Sequence, residues 1–204
     1  AAGIQASIIS FSNLFVWRYV NRFSTAVVAG VGIGQRIDKF VSLPASAYGT
    51  AITTFAGQNI GAGNRERIRE GTRDGLILSL LTTLGLGLVM YPAAGYVASL
   101  FNRNQEVVRT AVQMTHTLMP LYFLISVRHV LIGVLRAHRR NRISTLLTLS
   151  GMVGVRQIFL GITMSLDSNI RYVIWGYPVG WFFALVFVAI YYFSCRQKML
   201  NEEL

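Results

Sequence analysis

The chain has 204 residues, of which 53% are hydrophobic and 13% charged, with a mean hydropathy of +0.49. Soluble domains carry about 25% charged residues, so this composition excludes an ordinary soluble domain or a pair of them. The net charge of +11 comes from arginines grouped in short gaps between apolar runs. No basic face is interleaved with aromatic residues, so the charge points to anionic lipid and away from nucleic acid.

Cys195 is the single cysteine, so no internal disulfide can form, and no Cys/His cluster has metal-ligand spacing. The chain shows no G-x-S-x-G, no paired histidine and carboxylate, no phosphate-cradling loop and no Walker lysine. Nothing therefore argues for an enzyme or for a cofactor. The sequence opens AAGIQASIISFSNLF, without Met and already inside an apolar run, and reads as cut from a longer protein rather than processed.

Six apolar segments can be marked, at about 3–19, 25–60, 75–100, 107–135, 143–166 and 172–193. Each approaches or exceeds the roughly 20 residues that a helix needs to cross about 30 Å of hydrocarbon. The fold class is an all-α polytopic membrane protein. The second segment is too long for one upright span, at roughly 54 Å as a helix. It can be two spans parted near Leu43-Pro44-Ala45, or one long tilted helix kinked at Pro44 and Gly49, where Pro44 removes a backbone donor.

Arginine placement decides between these. Arg65, Arg67, Arg69 and Arg73 follow the second segment, Arg136, Arg139, Arg140 and Arg142 follow the fourth, and Arg196 with Lys198 follow the sixth. The alternate gaps hold fewer: Arg22, Arg103 with Arg109, and Arg171. The positive-inside rule makes the rich side cytoplasmic. Splitting the second segment would place an apolar Leu-Pro-Ala turn outside with no polar loop, so one kinked span is expected. The six helices then have both ends on the cytoplasmic side.

The glycine pairs Gly85/Gly87, Gly151/Gly154 and Gly176/Gly180 read as helix-packing faces. Trp17, Trp175, Trp181, Tyr191 and Tyr192 read as interfacial belts near span ends.

The polar residues inside the spans carry the chemistry. The second segment holds Gln35, Arg36, Asp38 and Lys39, and a charge at the bilayer centre costs about 2.5–3.5 kcal/mol on insertion scales. Residues i and i+2 of a helix point to different sides, so Arg36 does not neutralise Asp38 well. Asp38 shares its face with Gln35 and Ser42. Two roles stand open for it: a structural ion pair between helices, or a substrate or coupling-cation site on an aqueous cavity. Arg156 and Gln157 lie at similar depth in the fifth segment, and Arg156 is the expected charged partner of Asp38 within the lobe. A structural bridge and a substrate contact both fit Arg156. Arg128 and His129 are expected to snorkel to the headgroups, and His116 to pack between helices. Gln5, Ser7, Ser10, Ser12 and Asn13 of the first segment either cement helix pairs or line a wet cavity. Gln58 and Asn59, before Gly61-Ala62-Gly63, are expected to close the second helix at the cytoplasmic face, with glycine taking the positive φ of the C-terminal cap.

The run Gln35-Arg36-Ile37-Asp38, then Leu43-Pro44, then Thr53-Thr54-Phe55-Ala56-Gly57-Gln58-Asn59-Ile60-Gly61-Ala62-Gly63-Asn64 closely resembles the multidrug and toxic compound extrusion (MATE) transporters, bacterial type. Gly133-Val134-Leu135-Arg136, Gly154-Val155-Arg156 and Tyr177-Pro178-Val179-Gly180-Trp181 extend the resemblance over nearly the whole chain. It implies the second of two six-helix lobes related by a pseudo-two-fold axis, with the N-terminal lobe as partner. It also implies cation-coupled export, driven by H+ or Na+, of amphipathic and often cationic organic compounds by alternating access. A lipid-linked saccharide flippase of the same superfamily is the alternative transporter. A membrane sensor or assembly subunit is the alternative outside transport. Two departures stand out. The sodium-coupled branch has carboxylates in its seventh and tenth helices, where this chain has no acid in segment one and Leu124-Ile125-Ser126 in segment four. Ala137-His138-Arg139-Arg140 also replaces the glycine-rich turn and proline that often follow Leu-Arg in the family.

Overall fold

The backbone of residues 2–201 is described by a computed structural model, with side chains described for 7–195 and Met199. Six helices succeed one another: α1 (Ala2–Val20), α2 (Thr25–Gly61), α3 (Arg65–Phe101), α4 (Gln105–Ala137), α5 (Asn141–Leu166) and α6 (Ile170–Asn201). There is no strand among the described residues. By length and composition α3, α4, α5 and α6 are each apolar enough to cross a membrane. The chain is that of a multi-pass membrane protein, with six helices among the described residues.

α2 is one unbroken helix of 37 residues with Pro44 inside it. Its start is fixed by Ser24, whose hydroxyl accepts from the Val27 amide at 3.3 Å. Its end is a Schellman motif: the Asn64 amide donates to the Asn59 carbonyl and the Gly63 amide to the Ile60 carbonyl. Gly63 takes φ 65°, a left-handed conformation that suits glycine. Ala62 is the cap residue and Gly61 the last helical one. Gln58 lends its carbonyl to the Ala62 amide, and the Asn59 side chain donates back to the Phe55 carbonyl at 2.8 Å. The stop before the basic loop is thus built from backbone hydrogen bonds.

α3 starts at Arg65, ten residues ahead of its apolar run. Asn64 caps it by accepting from the Arg67 amide, and Glu66 in the first turn faces the positive end of the helix dipole. Its arginines therefore ride on the helix itself, ahead of its apolar run. Further along, Leu81, Leu88, Val89, Tyr96 and Leu100 are exposed on α3, as a lipid-facing surface requires.

α2 packs against α3 and along both halves of α4. At the crossing with α4 the backbones touch. A Cβ added to Gly133 would lie 2.5 Å from the Gly49 carbonyl oxygen, and one added to Gly49 would lie 2.8 Å from that of His129. Gly49 thus serves as a contact surface for α4. Gly30 and Gly34 play the same part against Thr110 and Met114. Of the glycines read as packing faces, Gly151 abuts Ala184 and Gly176 abuts Leu160, whereas Gly85 and Gly154 face open space. Trp181 is a second correction: it is 4% exposed and packs in the core, 5.8 Å from the Tyr122 ring, not in an interfacial belt.

Two helices change pitch where they meet the site. α4 passes through a 3-10 turn at Met119–Leu121, with Pro120 inside it, just before Tyr122. α5 opens into a π-helical turn at Ser150–Val155, immediately before Arg156. A π turn rotates the rest of its helix about the axis, and such turns recur at functional sites.

Candidate functional site

A belt of polar side chains crosses the apolar core at the level of Asp38. On α2, Gln35 and Asp38 are three residues apart and share a face. The Tyr122 hydroxyl of α4 donates to Asp38 Oδ1 at 2.8 Å. Tyr122 is 1% exposed and locked against Trp181 of α6. Asp38 itself is half-buried, and Oδ2 takes no hydrogen bond from the described residues.

The second strand of the belt runs the other way. Gln35 Nε2 donates to the Tyr177 hydroxyl of α6 at 2.6 Å. The Arg156 guanidinium lies over the Tyr177 ring, 5.6 Å from its centroid, in a cation–π contact. Arg156 Nη2 then donates to Ser12 Oγ of α1 at 2.7 Å. Gln157 Nε2 donates to both the Ser12 carbonyl and Ser12 Oγ, at 3.0 and 2.9 Å. Five of the six helices are joined in this way: α1, α2 and α6 with α4 on one branch and α5 on the other.

The expected Asp38–Arg156 ion pair does not form. Tyr122 holds Asp38 and Ser12 holds Arg156, and Asp38 meets no cation within salt-bridge distance among the described residues. Tyr177 meets the Arg156 guanidinium with its ring and Gln35, on the face of Asp38, with its hydroxyl. Arg36 turns outward over the Phe101 ring at 5.7 Å, and Lys39 is exposed. Ser42 is half-buried and returns its hydroxyl to the Lys39 carbonyl at 3.2 Å. Asn13 lies beside Ser12 with its Oδ1 buried and unpartnered. The Gln5 side chain lies outside the described residues.

Arg128 does not snorkel. It is 5% exposed inside the bundle, where its Nη2 donates to His129 Nε2 at 3.2 Å. His116 packs: its ring stacks on Tyr91 with centroids 4.0 Å apart and its Nε2 meets the Tyr91 carbonyl at 2.8 Å. Sequence reasoning missed Tyr122 and Tyr177 as partners. The available signal was a phenol far from either end of a span, since a buried tyrosine hydroxyl usually finds a partner.

A bundle of apolar helices with a charged, hydrogen-bonded belt inside it is a membrane protein whose polar groups mark a functional site. The MatE family model matches residues 1–162, and the chain belongs to that family, whose members are transporters and not enzymes. "Probable multidrug resistance protein YpnP" of Bacillus subtilis (strain 168) is 34% identical over 136 residues, which is 67% of this chain and 31% of that protein. "Probable multidrug resistance protein YoeA" of the same organism is 24% identical over 204 residues, 98% of this chain and 44% of that protein. The outward-facing conformation of a multidrug resistance MATE family transporter of the MOP superfamily superposes with a TM-score of 0.85 at 21% identity, covering 97% of this chain and 44% of that one. The chain spans less than half the length of these proteins, and the superposition speaks for the fold.

Proposed function

We propose that the chain is the C-terminal six-helix lobe of a cation-coupled exporter of amphipathic, often cationic organic compounds. It works with an N-terminal lobe by alternating access, in a cell inner membrane, with both ends cytoplasmic. Membership of the MatE family and relatives named for multidrug resistance support the transport reading. The observation that carries the coupling is Asp38. Among the described residues it is the carboxylate set within an apolar run: Glu66, Glu70 and Asp74 precede the apolar run of α3, Glu106 lies in the first turn of α4, and Asp167 caps α5. One of its oxygens is fixed by Tyr122 and the other is left open.

A half-buried carboxylate without a fixed counter-ion can hold H+ or Na+ on the open oxygen and exchange it for a cationic substrate. Tyr122 aims the group and Trp181 braces Tyr122. Gln35 adds a neutral acceptor on the same face of α2, and Ser42 lies one turn beyond. Arg156, neutralised by no acid here, is tied to Ser12 and so holds α5 to α1 while the lobe moves as a body.

The test is Asp38→Asn in the two-lobe protein, scored by drug susceptibility of a host without its own exporters, with Asp38→Glu alongside. The expected result is loss of resistance in Asp38→Asn, at unchanged membrane abundance, and partial return in Asp38→Glu. Full resistance in Asp38→Asn would leave Asp38 a structural residue. Collapse of export by a proton ionophore, against collapse by removal of sodium, assigns the coupling ion.

A further inference from the structure

At the end of the bundle away from the basic loops, α4 and α6 line an open cleft of about 520 Å³. Arg109, Gln113 and Thr117 line it from one face of α4, at i, i+4 and i+8, and Arg171 with Trp175 line it from the first turns of α6. Val112 and Ile174 make its apolar wall. Neither guanidinium forms a hydrogen bond or ion pair with a described residue, and the nearby Glu106 is taken by the Ser24 hydroxyl at 2.9 Å. No carboxylate lines the cleft. Two arginines that converge on one space with no acid between them repel each other, and that arrangement suits an anion that takes a guanidinium on each side.

The shape narrows the ligand. Trp175 is half-exposed, one turn below Arg171, at the depth where tryptophan marks the membrane–water boundary. A phosphate held by Arg109 and Arg171 would sit at headgroup level, with the Val112–Ile174–Trp175 wall beneath it to receive an acyl chain. Gln113 can donate to an ester or glycerol oxygen. We infer that this cleft is a phosphate-binding site for the headgroup of an anionic phospholipid, separate from the Asp38 belt. A bound lipid would brace α4 against α6, the two helices that carry Tyr122, Tyr177 and Trp181.

The test uses the full-length protein carrying this lobe, extracted in mild detergent and loaded with phosphatidylglycerol. Native mass spectrometry counts retained lipid for the wild type, for Arg109→Gln/Arg171→Gln and for Arg109→Lys/Arg171→Lys. The glutamine pair is expected to lose one bound lipid, with about tenfold weaker retention, while the lysine pair keeps most of it. Millimolar inorganic phosphate is added as a second arm. Retention that survives the added phosphate assigns the site to lipid. A wild type that retains inorganic phosphate through the two arginines but no more phosphatidylglycerol than the glutamine pair assigns the site to the free anion and overturns the lipid reading. Equal retention of both lipid and phosphate in the wild type and the glutamine pair overturns the site altogether. A glutamine pair that elutes aggregated is replaced by the single Arg171→Gln, for which the same loss is expected and undiminished retention is again contrary.

Discussion

Asp38 depends on one phenol. Removing the Tyr122 hydroxyl takes a donor from a carboxylate in a largely apolar surround, and a hydrogen bond to a charged group contributes about 1.5–3 kcal/mol. Tyr122→Phe is therefore expected to lower unfolding stability by about that amount and to impair export, because Asp38 loses its aim. Thermal unfolding in detergent checks the first and efflux the second; a variant with wild-type values for both would show that the bond is idle. Arg139 offers a change of opposite sign. It sits at φ 58° in the α4–α5 turn, where the Arg140 amide donates to the Leu135 carbonyl and the Arg139 amide to the Arg136 carbonyl. This is the same cap as at Gly63, built with an arginine, and a left-handed L-residue costs roughly 1–2 kcal/mol. Part of that is offset because glycine has more freedom to lose on folding. Arg139→Gly should stabilise the protein by up to about 1 kcal/mol, read as a raised midpoint of unfolding. A lowered midpoint would count against strain at this turn. The Gly63 cap was legible because glycine after an apolar run signals it. The Arg139 cap was not, because nothing in an arginine's chemistry announces a positive φ.

Helix α2 organises the others, and its crossing with the second half of α4 rests on Gly49 and Gly133. Gly133→Val would drive a branched side chain into the Gly49 carbonyl and Ile52. Overpacking of a filled core costs about 1–3 kcal/mol, and here backbone blocks the way, so the upper end is expected. Reduced yield of folded protein and a lower unfolding midpoint would report it. Gly85→Val, which meets nothing within 4 Å, should be neutral in the same assay. Equal losses in the two variants would contradict this account of the crossing. The sequence showed that glycines pack membrane helices but not which ones, since that depends on where two backbones cross. Hydropathy likewise found the lipid-embedded part of α3 and missed the turns from Arg65 to Asp74, because a capped helix continues in water without any apolar signal. The polar belt was half legible. Asp38, Gln35 and Arg156 stood out as polar groups at depth, yet the partners that hold them, Tyr122, Tyr177 and Ser12, are fixed by helix rotation. The 3-10 turn before Tyr122 and the π turn before Arg156 set that rotation.

At the scale of the whole molecule, the lobe satisfies most of its own polar groups and leaves some for a neighbour. Gln35, Asp38 and Arg156 are bonded inward, while Arg36, Lys39 and Ser10 stay exposed on α1 and α2, the two helices outside the four most apolar ones. Polar groups in hydrocarbon raise the free energy, so this seam is expected to face a second lobe or the aqueous path between lobes. Alternating access also needs two halves that move against each other. The most direct measurement is efflux of a fluorescent organic cation from proteoliposomes, with this lobe reconstituted alone and together with an N-terminal lobe. The account predicts silence for the lobe alone, export for the pair, and loss of that export in the pair carrying Asp38→Asn; sustained export by the lobe alone would contradict it.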